Sequence, residues 1–361
     1  MTLDRRMFLA AGTAAAFLGQ PLLAAYNPRP QGWRRFELTV HVDLPRDGKP
    51  AQLWVPVPAH ADADWSVPGD ATWTTTADSA ELVTDARTGA RFVHARWREG
   101  DTSATLDLVT DVRTQSRAVD LTTPGTATLS AEERATHTAP TRLIPTDGIV
   151  RDTAETITAG MSRDLEKARA IYDWVVDSTE RDPETRGCGL GDVATMLQSG
   201  DLTGKCADLN ALFVGLARAA GLPARDLYGL RVAPSAFGYK SLGAGSEVVT
   251  KAQHCRAEVF VDGFGWVPAD PADVRKVVLE EPPKTLTLTD PAVLDVRAAL
   301  FGAAEGNWIA LNTAHDVALP GAEDGPVPFL MYPQAEIGGV RQDELSPDSF
   351  AYTITAREIA G

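Results

Sequence analysis

Gly204-Lys205-Cys206-Ala207-Asp208-Leu209-Asn210 opens the segment that decides how this chain is read. Downstream of it, Leu209, Leu212, Phe213, Leu216 and Ala220 recur at helical spacing, which predicts an amphipathic helix with its apolar face buried. Gly221 and Pro223 supply its stop signal. Cys206 therefore stands at the first turn, behind a flexible glycine and a lysine. A helix N-terminus and a nearby cation both favour thiolate over thiol, and the thiolate is the nucleophile. A small buried hydrophobe would suit the same place, so the segment alone leaves both roles open.

The residues beyond the helix supply what a thiol nucleophile needs. Pro223-Ala224-Arg225 leads into a predicted strand from Asp226 to Val232. Ala233 to Lys251 is rich in Gly, Ser and Tyr and reads as a mobile surface loop over a cleft, or as a plain connector. Then Gln253-His254-Cys255-Arg256-Ala257-Glu258-Val259-Phe260-Val261 alternates from Arg256 on, as a half-buried strand does. Gly263-Phe264-Gly265 turns the chain, and Trp266-Val267-Pro268 returns it to Asp270. A hairpin centred on Asp262 would set His254 and Asp270 opposite each other. A carboxylate so placed holds an imidazole in one tautomer and stabilises its protonated form. Arg256 and Glu258 read as a cross-strand or surface pair, and Trp266 as a core aromatic or a screen against water.

Upstream, Leu165, Ala168, Ile171, Tyr172 and Val175 share a helical face that ends before Arg181-Asp182-Pro183. Gly187-Cys188-Gly189-Leu190-Gly191-Asp192 marks a tight irregular loop; no strand precedes it, so it is not a dinucleotide fingerprint. The chain has three cysteines. Cys188 and Cys255 could join in a disulfide or stay free, and the residues leave both open. Cys188, Cys206, His254 and Cys255 are zinc ligands by type. Adjacent strand side chains diverge, however, so Cys255 is expected to face away from the site and no metal is assigned.

Gly204-Lys205-Cys206-Ala207-Asp208 through Ala224-Arg225, His254-Cys255-Arg256-Ala257-Glu258 and Trp266-Val267-Pro268-Ala269-Asp270 together resemble the cysteine, histidine and aspartate motifs of the transglutaminase-like superfamily. The resemblance spans roughly residues 165–275. It implies an α+β, papain-like core with a Cys206–His254–Asp270 triad. It also implies acyl transfer from an amide through a thioester. Many members carry an aromatic residue after the first core helix, where Thr179-Glu180-Arg181 stands here; the Cys206 N–H is then the oxyanion donor the motif assigns. No acidic loop of calcium-binding spacing is present, so no calcium requirement and no other cofactor is predicted.

Around this core, at about 145–285, the chain divides into further parts. Arg35–Val42, Gln52–Pro58, Arg91–Trp97 and Ala104–Val112 are short alternating runs, which predict an antiparallel β-sandwich over 33–135. The prolines of the second run point to an edge strand. Residues 136–150 read as a linker. From 286 to 361, a helix over Asp290–Leu300 and strands at Trp308–Leu311, Phe329–Tyr332 and Phe350–Ala356 predict a small extension sheet on the core. Arg5-Arg6-Met7-Phe8-Leu9 and the apolar run to Ala25 resemble a twin-arginine export signal over 1–25, too short and weakly apolar for a lasting membrane span.

The full chain has 361 residues and a net charge of −15, from 34 basic and 49 acidic residues. An acidic surface argues against nucleic acid and anionic membrane as partners. The expectation is an exported, periplasmic or secreted cysteine enzyme acting on peptide or protein amides, by hydrolysis rather than amine transfer. The alternative is a non-catalytic peptide- or glycan-binding protein that keeps the fold.

Overall fold

The computed structural model of the protein describes residues 25–101 and 103–360. The export signal read over 1–25 lies outside the described residues, apart from Ala25. Seven helices occur among the described residues: α1 (Ala131–Thr138), α2 (Gly148–Ile157), α3 (Asp164–Ser178), α4 (Val193–Ser199), α5 (Cys206–Ala219), α6 (Pro271–Glu280) and α7 (Pro291–Ala299). None is long and apolar enough to cross a membrane.

The fold is mixed α and β, with its largest core built around α5. Its central sheet is antiparallel, in the order Gly265–Ala269, Gln253–Val261, Ala224–Arg231 and Trp308–Asn312. Leu212, Phe213 and Leu216 of α5 share one core with Ala257 and Val259 of the sheet and with Val150, Ile171, Val175 and Val193 of the surrounding helices. Cys206 to Arg218 are all buried, so α5 is enclosed on every side rather than amphipathic in its setting. Small residues make this possible: a Cβ on Gly215 would stand 3.0 Å from Ile144 and 3.2 Å from Val193.

Beside the core stands a β-sandwich. One sheet runs Ala351–Ile359, Arg34–Leu44, Ala104–Thr114, Ser66–Thr75. The other runs Val340–Arg341, Gln334–Ile337, Ala51–Val57, Arg91–Trp97, Ser79–Thr84. Phe36, Leu38, Val40, Val42 and Leu44 alternate inward and meet Leu53, Val55 and Val93. The strands near the C-terminus thus form no single extension sheet. Among the described residues, His315–Val317 and Val327–Phe329 pair only with each other. The run expected as a strand at Phe329–Tyr332 leaves its strand after Phe329 and is a buried connector to Gln334–Ile337. Trp308–Asn312 extends the central sheet, and Gln334–Ile337 and Ala351–Ile359 pair with Ala51–Val57 and Arg34–Leu44. Period-two alternation tells which face is buried, not which edge receives the strand.

Two further expectations change. Ala51–Val57 is an interior strand, paired on both sides. Its neighbour Gln334–Ile337 ends opposite Trp54, so Pro56 sits where that side needs no donor. Residues 233–251 are tied down rather than loose. Glu305 accepts from Ser235 and from the Ala236 N–H, and Glu281 from the Lys240 and Ser241 N–H groups. Tyr239 and Leu242 are buried, and Val249 N–H donates to Ile354 O at 2.8 Å.

Candidate active site

The first turn of α5 is held by its own Asp208. One carboxylate oxygen accepts the Lys205 N–H at 3.0 Å; the other accepts the Leu190 and Gly191 N–H groups at 2.9 Å each. The glycine loop is thereby clamped to the helix start. Gly189 has φ +92°, and a Cβ there would fall 1.7 Å from Asp208 Oδ2, so only glycine fits. Ala207 N–H donates to Cys188 O at 2.8 Å, and Cys188 Sγ lies 3.5 Å from Gln253 O. These ties bring the sulfurs of Cys188, Cys206 and Cys255 within 4.8 Å of one another. All three are free thiols.

Cys255 therefore does not face away from Cys206. It joins Cys206, Leu209 and Tyr228 in one cluster on the α5 side of its strand. Strand alternation still separates it from His254, whose second neighbour Arg256 lies over the Trp308 ring at 4.6 Å. The Gly265–Ala269 strand ends opposite Ala257, before His254 is reached. The helix start sits at this unpaired stretch and meets both residues.

His254 Nε2 lies 2.8 Å from Asp270 Oδ2 and 3.4 Å from Asp273 Oδ2. The register places Ala257 opposite Ala269, so the hairpin continues with Arg256, not His254, facing Asp270. The two-residue offset keeps His254 on the same face, and Asp270 reaches it diagonally. Asp270 caps α6 by accepting the Asp273 N–H at 3.1 Å. Asn210 ties the pieces together: its Nδ2 donates to Cys255 O at 2.8 Å and to Asp270 Oδ1 at 3.2 Å. Asp273 pairs with Arg231 at 2.5 Å. Neither Asn210 nor Arg231 carries a local sequence signal for this role, because their partners lie 42 to 60 residues away. Every one of these groups is buried.

Burial and the Arg231 charge lower the His254 pKa, but Asp273 and Asp270 outweigh them and raise it to about 9. The Cys206 thiol is held well below its ordinary range by hydrogen bonds from Cys188 and Cys255, against burial, and then by His254. Cys188 is raised, foremost through its hydrogen bond to Cys206, and Cys255 foremost by burial. These directions favour a thiolate at Cys206, an imidazolium at His254 and thiols at Cys188 and Cys255. Burial raises Asp270, whereas the Arg231 charge overcomes burial and holds Asp273 well below the carboxylate range.

A cleft of ≈ 560 Å³ opens onto this cluster, lined by Cys188, Cys206 and His254 among others. Its charged lining is Arg181, Lys205, Arg231, Lys251 and Lys276 against Glu344, in a chain of net charge −15. Gly243 to Gly245, Val248 and Tyr352 complete one wall.

The family model of the transglutaminase-like superfamily matches residues 151–271, from α2 through Cys206 and His254 to the residue after Asp270. An uncharacterized protein of Haemophilus influenzae is 34% identical over 324 residues, covering 85% of this chain and 86% of its own length. The chain belongs to the transglutaminase-like superfamily. The structure of a "putative cysteine protease" from Cytophaga hutchinsonii has a TM-score of 0.50 and 17% identity. It covers 90% of this transglutaminase-like chain and 98% of its own, and the likeness shows a shared fold. The periplasmic domain of TgpA from Pseudomonas aeruginosa aligns at a TM-score of 0.34 and 14% identity, over 72% of this chain and 92% of that one.

Proposed function

We propose that this protein is an exported cysteine enzyme that cleaves amide bonds of peptides or proteins through a thioester. Cys206 is the nucleophile, His254 the proton carrier and Asp270 the group that orients it. The observation that carries this reading is the buried His254–Asp270 contact of 2.8 Å beside a cysteine at the start of α5. In the first step Cys206 Sγ bonds to the carbonyl carbon, and the carbonyl electron pair moves to oxygen. The Cys206 N–H at the helix start is the donor proposed for that oxyanion. His254 gives its proton to the leaving nitrogen as the carbon–nitrogen bond breaks. Water then loses a proton to His254 and attacks the thioester, releasing the thiolate and a carboxylic acid that gives its proton to solvent. Hydrolysis is favoured over amine transfer because the cleft wall offers several cations and one carboxylate to hold an amine. Arg181 and Lys276 pair with Glu280 and Arg231 with Asp273, so Lys205 and Lys251 are the lining cations that favour acyl donors carrying carboxylates.

The test is the pH dependence of Cys206 alkylation by iodoacetamide in the reduced protein, beside His254→Ala. Rapid labelling well below the free-thiol pKa of about 8.5, lost in the variant, is expected. Slow labelling with a midpoint near the free value would overturn the enzyme reading and leave a binding protein of the same fold.

A further inference from the structure

The acyl-transfer chemistry uses one sulfur of three. Cys188 and Cys255 form no bond to the substrate, yet both are buried and held against Cys206. We propose that Cys188, Cys206 and Cys255 form a three-sulfur site for a thiophilic d¹⁰ cation such as Zn²⁺ or Cu⁺, and that the ion and the acyl substrate exclude each other. The ion site stands on where the three sulfurs lie, whereas the exclusion of acyl substrate rests on the enzyme activity proposed above.

The geometry fits such an ion. With metal–sulfur bonds of about 2.3 Å, sulfurs sharing a tetrahedral zinc sit roughly 3.8 Å apart. Here all three lie within 4.8 Å of one another, so side-chain adjustments of an ångström or less would close the set. The frame around them is rigid. Cys188 hangs on the glycine loop that Asp208 clamps, Cys206 on the helix that Asp208 caps, and Cys255 on an interior strand whose carbonyl Asn210 holds. Three elements far apart in sequence are thus fixed with their sulfurs converging, as a metal site requires of its supporting contacts.

The chemistry of the donors selects the ligand class. Thiolates favour Zn²⁺ and Cu⁺ over the hard cations Mg²⁺ and Ca²⁺. An ion has a way in, because Cys188 and Cys206 line the cleft. Three ligands leave one coordination position open toward that cleft. The cluster of His254, Asp270 and Asp273 does not compete for the ion: His254 Nε2 is engaged by Asp270 and Asp273, and Asp273 by Arg231. Because the ion takes the Cys206 sulfur, an occupied site cannot form a thioester.

The test uses the full chain without its signal, reduced and desalted under anaerobic conditions. Co²⁺ is the spectroscopic probe and Zn²⁺ the competitor. One equivalent of Co²⁺ should produce sulfur-to-cobalt charge-transfer absorption, and one equivalent of Zn²⁺ should abolish it. The zinc-loaded protein should keep all three cysteines from a maleimide, counted by intact mass, and a chelator should restore their labelling. Cys188→Ser and Cys255→Ser should each lose the absorption; their thermal melts show whether they remain folded. His254→Ala should keep the absorption while its Cys206 alkylation slows, so failure of the metal site and failure of the enzyme reading are separable. No charge-transfer band in the folded wild-type protein would overturn the proposal. So would a band that survives Cys255→Ser, or zinc protection confined to Cys206.

Discussion

At the scale of single residues, the site is an arrangement of buried charges that only each other can compensate. Asp270→Asn keeps the shape of the side chain and its bond from Asn210, but it removes the charge that supports the His254 imidazolium. Amide cleavage should fall by about 10²–10⁴-fold in kcat, and the melting temperature should drop as well, because the buried His254 charge loses a partner; a steady-state assay below the variant's own thermal melt checks this. His254 also sets a pH window. Its pKa is raised to about 9, so the proton it donates to the leaving nitrogen disappears as pH rises through about 9. The kcat/KM profile should decline there. The sign for stability is the same. A group raised from 6.5 to about 9 contributes stability that is whole below 6.5 and lost as pH rises through 9. Melting temperature should therefore drop over the same range, and no such drop should occur in His254→Ala.

At the scale of elements, the organising contact is between the glycine loop and the start of α5. Gly189 has φ +92° and stands where a Cβ would overlap Asp208 Oδ2. Gly189→Ala must therefore displace either the carboxylate or the loop. The Leu190, Gly191 and Lys205 N–H groups would lose their acceptor, each at about 1–3 kcal/mol where burial persists. The variant should unfold at lower denaturant concentration, and Cys206 alkylation should slow because the Cys188 thiol no longer reaches it. Denaturation curves and alkylation rates measure the two effects separately. A melt unchanged from wild type would show that the clamp carries no stability.

At the scale of the molecule, the last strand joins the sandwich to the cleft. Ala351–Ile359 pairs with Arg34–Leu44 along its whole length. Its other side meets the cleft-lining segment: Val249 N–H donates to Ile354 O and Ala356 N–H to Glu247 O, both at 2.8 Å. A chain ending before Ala351 should lose sandwich stability and release the 247–250 segment from one cleft wall. Hydrogen exchange should then rise in both Arg34–Leu44 and 247–250; a rise confined to the sandwich would mean the cleft segment is held by other contacts. The charge distribution acts at this scale too. The cations at the cleft stand in an acidic chain, so peptides bearing carboxylates should be cleaved with lower KM than their neutral amides, by a margin that shrinks with added salt.

The residue pattern by itself determined the core helix, the strand bearing His254 and the order of Cys206, His254 and Asp270, because helical and strand periods and turn residues are local properties. It also determined that strands run through Trp308–Leu311 and Ala351–Ala356, but not that the apolar run from Phe329 to Tyr332 leaves its strand as a buried connector. Which sheet each strand enters was decided only in three dimensions, since alternation carries no address. The hairpin register belongs there too: a shift of two residues preserves the face and leaves no mark in the pattern. So do the burial of α5 on every side, the anchoring of 233–251 by Glu281 and Glu305, and the convergence of Cys188, Cys206 and Cys255. Each depends on contacts between segments distant in sequence, and the distances that decide hydrogen bonding and charge coupling exist only once those segments pack.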